Sequence, residues 1–179
     1  MRFGAHVPTR GHPARALEAA LEIGGEALQI FISNPRGWAP PTVTTESARE
    51  FRERRAETGL GPVFVHASYL VNIASPRDEF RTRAVDLARR ELGAAAAIGA
   101  DGFVVHAGSG GTESREAALE RAVASCHSIL AATDGPELLL ELTAGGAGSV
   151  ASTIPQAAEL LDALGRHPRI ALCLDTCHL

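Results

Sequence analysis

The stretch Gly102-Phe103-Val104-Val105-His106 decides the fold class of this chain. It is a short apolar run with β-branched and aromatic residues, which is typical of a buried strand. Segments rich in Ala, Leu, Glu and Arg with helical spacing flank it on both sides, over residues 78–98 and 114–132. A strand between two helices is the repeating unit of a parallel sheet that is covered by helices.

The same alternation extends along the whole sequence. Successive strands begin 26, 35, 40, 35 and 32 residues apart, and these steps match the length of one βα unit. Strands are predicted at 1–6, 27–32, 62–66, 102–106, 137–141 and 169–175. Helices are predicted at 13–23, 45–58, 78–98, 114–132 and 155–164.

Two layouts fit this alternation, an open doubly wound sheet and an eight-fold barrel. The barrel is favoured, because no Gly-x-Gly-x-x-Gly turn follows the first strand. We therefore predict an α/β fold, a TIM (β/α)8 barrel of which the first six βα units are present, as a single incomplete domain over residues 1–179. A complete barrel takes about 250 residues. The sequence is accordingly expected to be a fragment or an incomplete gene model.

Composition narrows the class of protein further. With 45% hydrophobic and 21% charged residues, the chain is not a mainly disordered one. The net charge of -4 argues against a protein that coats nucleic acid through broad phosphate neutralisation, but it leaves room for a DNA enzyme with local positive charge. No apolar run approaches the roughly 18 residues that span a bilayer. We expect a cytoplasmic monomer with reduced cysteines and no membrane partner.

Ionisable side chains close five of the six predicted strands. His6, His66, His106, Glu141 and Asp175 each stand at the carboxyl end of a strand. Because the carboxyl ends of the strands form the catalytic face of a barrel, these side chains are expected to converge there. Imidazole and carboxylate groups that meet at one point suit zinc or another borderline divalent ion.

Two groups of metal ligands are predicted from these residues. His66, His106 and Glu141 offer two neutral nitrogens and one carboxylate, the ligand set of open catalytic zinc sites with a position left for water. Asp175 and His178 add a carboxylate and an imidazole three residues apart. They suit a second and a third metal if the chain turns sharply after the sixth strand.

The motifs around these residues resemble those of the endonuclease IV family of abasic-site DNA endonucleases. They occur in the family's order and near its spacing over the whole chain, and the His-x-Ser-Tyr-Leu-x-Asn and Asp-Thr-Cys-His blocks are the most specific. The matching segments are 4–7 (GAHV), 34–38 (NPRGW), 66–72 (HASYLVN), 106–109 (HAGS), 141–145 (ELTAG) and 173–178 (CLDTCH).

The resemblance implies a zinc-dependent endodeoxyribonuclease of DNA repair that acts on double-stranded DNA containing abasic sites. Such an enzyme hydrolyses the phosphodiester on the 5′ side of the abasic nucleotide and leaves a 3′-hydroxyl and a 5′-deoxyribose phosphate. Family knowledge assigns His66, His106 and Glu141 to the first of three zinc ions and makes Glu141 a bridge to the second. It assigns Asp175 to the second ion and His178 to the third. Manganese is the alternative to zinc.

Three loop residues match the DNA contacts of the family. The resemblance implies that Arg36, Tyr69 and Leu70 push into the duplex as the abasic nucleotide swings out. Extrusion costs least at a site that has already lost its base, which supplies selectivity. The alternative is that Tyr69 and Leu70 simply cap the rim of the barrel.

The sequence also departs from the family's motifs. Ala107 stands where the family has a proline, which is expected to change mainly the stiffness of the loop. Leu142 stands where the family has an asparagine, so a polar side chain is missing beside a ligand. The family's remaining ligands lie beyond residue 179. The chain therefore holds a complete ligand set for one metal only, and we do not expect these residues alone to cleave DNA.

Two other functions remain open at this point. Barrels with His, Glu and Asp ligands at the strand ends also catalyse proton transfers on sugars, so a metal-dependent sugar isomerase or epimerase is one alternative. A truncated remnant that binds metal or damaged DNA without cleaving it is the other. A nicking assay on abasic DNA and a measurement of metal stoichiometry discriminate among the three.

Overall fold

The structure is a computed structural model, and it describes residues 1–178. Six strands and five helices alternate along these residues. The strands are β1 (Gly4–His6), β2 (Ala27–Phe31), β3 (Val63–His66), β4 (Gly102–His106), β5 (Glu137–Glu141) and β6 (Ile170–Cys173). The helices are α1 (Ala14–Glu22), α2 (Thr45–Thr58), α3 (Asp78–Ala97), α4 (Arg115–Leu130) and α5 (Ile154–Ala163).

The strands form one parallel sheet whose spatial order is the order of the sequence, β1-β2-β3-β4-β5-β6. Each crossover moves to the next strand in the same direction, and crossovers of this kind are right-handed, so all five helices lie on one face of the sheet. A doubly wound sheet would reverse its strand order at a switch point. The predicted class, the strand and helix order of a TIM barrel, is confirmed.

The boundaries of some predicted elements are corrected by the structure. Strand β1 begins at Gly4 and not at residue 1, and β6 ends at Cys173, so Asp175 lies two residues beyond its strand. Both are edge strands of the sheet, with a pairing partner on one side only among the described residues. The sixth unit consists of a strand without a following helix over residues 1–178.

The alternation of side chains along each strand separates a packed face from an open one. Every second residue of the inner strands is fully buried and packs in the core between the sheet and its helices. The register aligns these residues from strand to strand. They are Leu28, Ile30, Val63, Val65, Phe103, Val105, Leu138 and Leu140. The intervening residues face the opposite side, which is the interior of the barrel.

Local signals explain why the helices begin and end where they do. In α2, the Thr44 side chain accepts a hydrogen bond from the Ser47 amide at 3.1 Å, and Ser47 Oγ accepts one from the Thr44 amide at 3.0 Å. This capping box fixes the start, and Gly59 ends the helix in a left-handed conformation with φ 67°. Among the described residues, no helix is long and apolar enough to cross a membrane.

Candidate metal centre

Three of the predicted ligands share the open face of the sheet. His66 follows the buried Val65, so its side chain is on the opposite face of the sheet. The register pairs His66 with Val104, and His106, two residues after Val104, is on the same face. His106 in turn pairs with Glu141. Since side chains alternate between faces, His66, His106 and Glu141 all point into the barrel interior at the carboxyl ends of β3, β4 and β5.

The three side chains meet closely enough to share one ion. His66 Nε2 lies 3.1 Å from Glu141 Oε2, and His106 Nε2 lies 3.8 Å from the same oxygen. His66 and Glu141 are buried, at 7% and 6% exposure. One ligand atom from each of the three residues lies within 4.8 Å of the other two. With metal–ligand bonds of about 2.1 Å, two tetrahedral zinc ligands lie about 3.4 Å apart. The distances of the two histidine nitrogens from Glu141 Oε2, 3.1 and 3.8 Å, lie on either side of this value.

The surroundings of His66 fit a bound cation. Its Nδ1 lies 2.7 Å from the carbonyl oxygen of Ala67, and its Nε2 faces the Glu141 carboxylate. Both neighbours are acceptors, whereas a neutral imidazole carries only one N–H. The bond from Nδ1–H to Ala67 leaves the Nε2 lone pair facing the carboxylate, an arrangement that needs a second proton or a metal ion between the two. Metal-binding histidines typically donate their other N–H in this way.

A second group of three lies beside the first and shares Glu141 with it. Glu141, Asp175 and His178 also bring one ligand atom each within 4.8 Å of one another. A tight turn after β6 produces this group, because the Cys177 amide donates to Asp175 Oδ1 at 2.8 Å and the His178 amide to the Asp175 carbonyl at 3.0 Å. His178 Nδ1 lies 3.4 Å from Glu141 Oε1 and 3.7 Å from Asp175 Oδ2.

The orientation of the His178 ring limits what the second group can bind as it stands. Its Nδ1 lies 2.8 Å from the carbonyl oxygen of Leu142, so this nitrogen donates a hydrogen bond there. The lone pair of the neutral ring is then on Nε2, away from the nearest carboxylate contacts. Nδ1 is the nitrogen closest to Glu141 and Asp175. To bind an ion with Nδ1, the ring would have to turn away from the Leu142 carbonyl.

Electrostatics favour an ionised Glu141 carboxylate and a neutral His106 imidazole at the first group. Burial acts to raise the pKa of Glu141, but the hydrogen bond from His66 and the charges of the neighbouring histidines outweigh it, and the pKa is below its ordinary 4.5. Burial lowers the pKa of His106 below 6.5, against the attraction of Glu141. Near neutral pH these are the protonation states that metal binding requires.

An open cavity of about 480 Å³ lies over the three ligands. His6 and Gln29 form part of its wall, and Gln29 Nε2 lies 3.0 Å from His6 Nδ1. His6, the remaining strand-end histidine, therefore joins the cavity without reaching either ligand group. Gln29 is not among the residues predicted for the site. Its position between the buried Leu28 and Ile30 is the pattern that would have placed it on the open face.

Comparison with known proteins agrees with this architecture. Residues 17–179 match the family described as xylose isomerase-like TIM barrel. The chain belongs to this family. A probable endonuclease 4 of Halothermothrix orenii is 36% identical to it, in an alignment that covers 99% of this chain and 64% of that protein. The crystal structure of endonuclease IV from Thermus thermophilus has a TM-score of 0.86 and 34% identity, over 99% of this chain and 64% of that one.

Within the xylose isomerase-like family, the resemblance to endonuclease IV that the motifs indicate is confirmed. The chain spans less than two thirds of the length of these two relatives. A 3-keto-D-glucoside 4-epimerase of E. coli has a TM-score of 0.74 at 18% identity, over 99% of this chain and 69% of that one, and shares the fold alone.

The loop after β3 brings Tyr69 to the same cavity. The Tyr69 ring is 55% exposed and packs edge-on against Phe31 at 5.0 Å and His66 at 5.8 Å. Leu70 is half-buried beside it, and Arg36 is exposed in the neighbouring loop after β2. The two loops are joined, because the Tyr69 amide donates to the carbonyl of Pro35 at 3.0 Å.

Asn72, the last residue of the segment HASYLVN, ties its loop to the loop after β4. Asn72 Oδ1 accepts hydrogen bonds from the amides of Ala74 at 3.1 Å and Ser109 at 3.0 Å, and its Nδ2 donates to the Ser109 carbonyl at 2.9 Å. Gly108, with φ 87°, leaves room for this contact, since a Cβ there would lie 2.8 Å from Asn72 Oδ1. The asparagine is therefore a structural member of the motif.

Both departures from the endonuclease IV motifs have a visible structural consequence. Ala107 is buried, and its amide donates to the carbonyl of Glu141 at 2.9 Å, a bond that proline cannot form. The exchange therefore changes backbone hydrogen bonding as well as loop stiffness. Leu142 is buried in the hydrophobic core, while its carbonyl receives the bond from His178. Its side chain packs and takes no part in the ligand groups.

Proposed function

We propose that this chain carries the metal centre and the DNA-binding loops of a repair endonuclease that hydrolyses the phosphodiester 5′ to abasic sites, leaving a 3′-hydroxyl and a 5′-deoxyribose phosphate. The observation that carries the proposal is the cluster of His66, His106 and Glu141 in an open cavity that the exposed Tyr69 ring also lines. Similarity to proteins named endonuclease 4 over nearly the whole chain supports it.

His66, His106 and Glu141 would hold the first metal ion. The Ala67 carbonyl holds the His66 ring so that Nε2 faces the carboxylate, and this fixes both tautomer and orientation. When bound, a zinc ion lowers the pKa of coordinated water to about 7 and stabilises charge on phosphate oxygens. No nucleophile from the protein is required. Zinc suits this set of nitrogen and oxygen ligands, and manganese is the alternative.

Glu141 is the residue best placed to serve two metal positions. Its Oε2 faces His66 and His106, whereas its Oε1 faces His178. Each oxygen thus belongs to a different ligand group, which supports the bridging role that the resemblance implies. Asp175 and His178 would contribute one ligand each to the second and third positions. Within the described residues, His66, His106 and Glu141 form one group of three ligands, and the group of Glu141, Asp175 and His178 would be shared between the other two positions.

Arg36, Tyr69 and Leu70 would engage the DNA. Tyr69 supports this role best, because its ring is exposed and yet lies within 5.8 Å of the ring of a proposed metal ligand, His66. An aromatic ring in this position can fill the space that an extruded abasic nucleotide leaves. Binding of this kind favours a site without a base, since no base pair has to be broken there.

The proposal is tested with two labelled duplexes that differ only by one tetrahydrofuran abasic analogue. Fluorescence anisotropy with zinc-loaded protein should give tighter binding to the abasic duplex, and EDTA should remove that preference. Where the strand is cut, the nick should lie on the 5′ side of the analogue and leave an end that a DNA polymerase extends. Equal affinity for both duplexes, or a nick on the 3′ side, would contradict the proposal.

A matched pair of variants separates DNA recognition from general stability. Tyr69→Ala should abolish the preference for the abasic duplex while the melting temperature stays close to that of the unaltered chain. Ile23→Ala is the control, because Ile23 is also an exposed large apolar residue, at 64%, but follows the last residue of α1 at the other end of the barrel. Turnover of a ketose sugar without abasic preference would favour an epimerase instead.

A further inference from the structure

Glu91 is a charged residue without exposure to solvent. It lies in α3 among the apolar residues that face the sheet, and its exposed fraction is 0%. Residues of this type are almost never fully buried unless they are paired. The proposed metal and DNA contacts do not use Glu91, so its burial requires another reason.

Both carboxylate oxygens of Glu91 are bound by the loops that follow neighbouring strands. Ser33, two residues after β2, donates its hydroxyl to Oε1. The backbone amide of Ser68, two residues after β3, donates to Oε2 at 3.2 Å. One side chain from a helix thereby holds the first turns of two adjacent loops on the rim of the barrel.

These two loops are also bound to each other through Ser68. Its hydroxyl donates to the carbonyl of Pro35 at 3.0 Å and accepts from the amide of Leu70 at 3.3 Å. The Tyr69 amide donates to the same Pro35 carbonyl at 3.0 Å. The chain of contacts therefore runs from Glu91 to the backbone on either side of Tyr69 and to the residue that precedes Arg36.

The cost of burying the Glu91 carboxylate indicates that this residue does more than stabilise the core. Burial raises the pKa of Glu91, against the hydrogen bonds from Ser33 and Ser68, which shows that the charged form is held at a cost. An apolar residue of similar size would avoid this cost on the buried face of α3, which Glu91 shares with Ala88, Leu92 and Ala95. A carboxylate is instead the group that can accept from two loops at once.

We propose that Glu91 is a positioning residue that holds the Tyr69–Leu70 loop against the Arg36 loop and so sets the geometry of the substrate-binding face. The inference rests on the proposed function for the identity of the substrate, DNA with an abasic site. The anchoring of the loops by Glu91 is a separate property of the free protein. The anchoring of the loops and the binding of abasic DNA are therefore measured in separate experiments.

Amide hydrogen exchange in the zinc-loaded protein tests the anchoring. Glu91→Gln replaces the carboxylate with a neutral amide that keeps only one acceptor oxygen. The bond to the Ser68 amide loses its charge-assisted part, which should accelerate exchange at that amide by about tenfold. Zinc content should not change, because the Glu91 carboxylate is bound by Ser33 and by the Ser68 amide and not by a proposed ligand. Glu120→Gln is the matched control, since it is the same substitution at an exposed position of α4. Unchanged exchange at Ser68 would overturn the proposal.

Binding of the abasic duplex tests the consequence for recognition. The dissociation constant of Glu91→Gln should rise by about tenfold, the equivalent of one such bond, with no effect in Glu120→Gln. Faster exchange at Ser68 with unchanged abasic preference would overturn the link to the substrate-binding face. If the unaltered protein has no abasic preference, the proposed function fails, while the exchange data still decide whether Glu91 anchors the loop.

Ser68→Ala keeps the test valid if Glu91→Gln does not fold. This substitution removes the hydroxyl contacts to Pro35 and Leu70 but leaves the backbone amide that pairs with Glu91, so no buried charge loses its partner. Exchange at the Leu70 amide should then accelerate and abasic binding should weaken, again at unchanged zinc content. Full abasic affinity in Ser68→Ala would contradict a network that positions Tyr69.

Discussion

His66 and Glu141 meet across the open face of the sheet, with Nε2 of the histidine 3.1 Å from Oε2 of the glutamate, although the strands that carry them are separated by β4. The other nitrogen of the same ring is 2.7 Å from the Ala67 carbonyl. An imidazole between two acceptors requires either two protons or one proton and a metal ion. Protons and metal therefore compete for the same position, and pH becomes a direct probe of the site.

The affinity for zinc should depend on pH in a defined direction. Burial lowers the pKa of His106 below 6.5, and Glu141 stays ionised because its pKa lies below 4.5. Zinc affinity should thus lose its dependence on His106 protonation above pH 6.5 and fall at lower pH, by up to roughly tenfold per pH unit once His106 binds the proton that must leave. Competition with a chromophoric chelator between about pH 5 and pH 8 measures this. An affinity that does not change across this range would contradict the ligand assignment.

The stability of the metal-free chain should fall as the solution becomes acidic. The folded pKa of His106 lies below its unfolded value of 6.5, so below 6.5 the unfolded chain binds a proton that the folded chain does not. Stability is therefore lost as pH falls from 6.5 toward the lowered pKa. Urea unfolding in EDTA at several pH values measures the loss, which should be smaller in His106→Asn. An identical pH dependence in that variant would contradict the assignment of the effect to His106.

Asn72 should contribute to stability more than its exposure suggests. Its side chain makes two hydrogen bonds to Ser109 in the loop after β4 and one to Ala74 in its own loop, so Asn72→Ala should lower the free energy of unfolding by about 2–3 kcal/mol. Asn34→Ala is the control, because Asn34 is exposed and accepts one local bond from the Arg36 amide. Equal losses in the two variants would show that the Asn72 contacts are not the cause.

The three cysteines should differ in reactivity toward a thiol reagent at neutral pH. Burial raises the pKa of Cys126 to about 12, and burial with the nearby charges of Glu141 and Asp175 raises that of Cys173 to about 11. Only the thiolate reacts, and Cys177 is the exposed one. One thiol should therefore react rapidly with Ellman's reagent, and Cys177→Ser should remove the fast phase. Persistence of that phase in the variant would place the reactive thiol elsewhere.

Much of the fold follows from local patterns in the sequence. Strands β4 and β5 begin and end as predicted, because each is a bounded apolar run with a pairing partner on both sides. Helix α2 is also predicted to the residue, since a capping threonine and Gly59 mark its ends. The edge strands β1 and β6 are shorter than predicted, because apolar composition alone does not tell how far an edge strand is paired.

Part of the candidate site could also be predicted from local patterns in the sequence. A strand-end position locates His66, His106 and Glu141, since parallel strands bring their ends together regardless of separation in sequence. The burial of Glu91 could not be foreseen, because a single acidic residue on a helix does not reveal which loops will reach it. The ring orientation of His178 depends on the carbonyl of Leu142, just beyond the end of β5, and no pattern in the sequence encodes it.

The most direct test of the metal centre compares the zinc content of variants with the same substitution at opposite ends of β5. Zinc-loaded protein is desalted and its metal content is measured by mass spectrometry for the unaltered chain, Glu141→Gln and Glu137→Gln. Glu137 is the exposed residue at the opposite end of the same strand. We predict at least one tightly bound zinc per chain, lost in Glu141→Gln and retained in Glu137→Gln. No bound zinc in the unaltered chain, or equal zinc in all three proteins, would contradict the proposed metal centre.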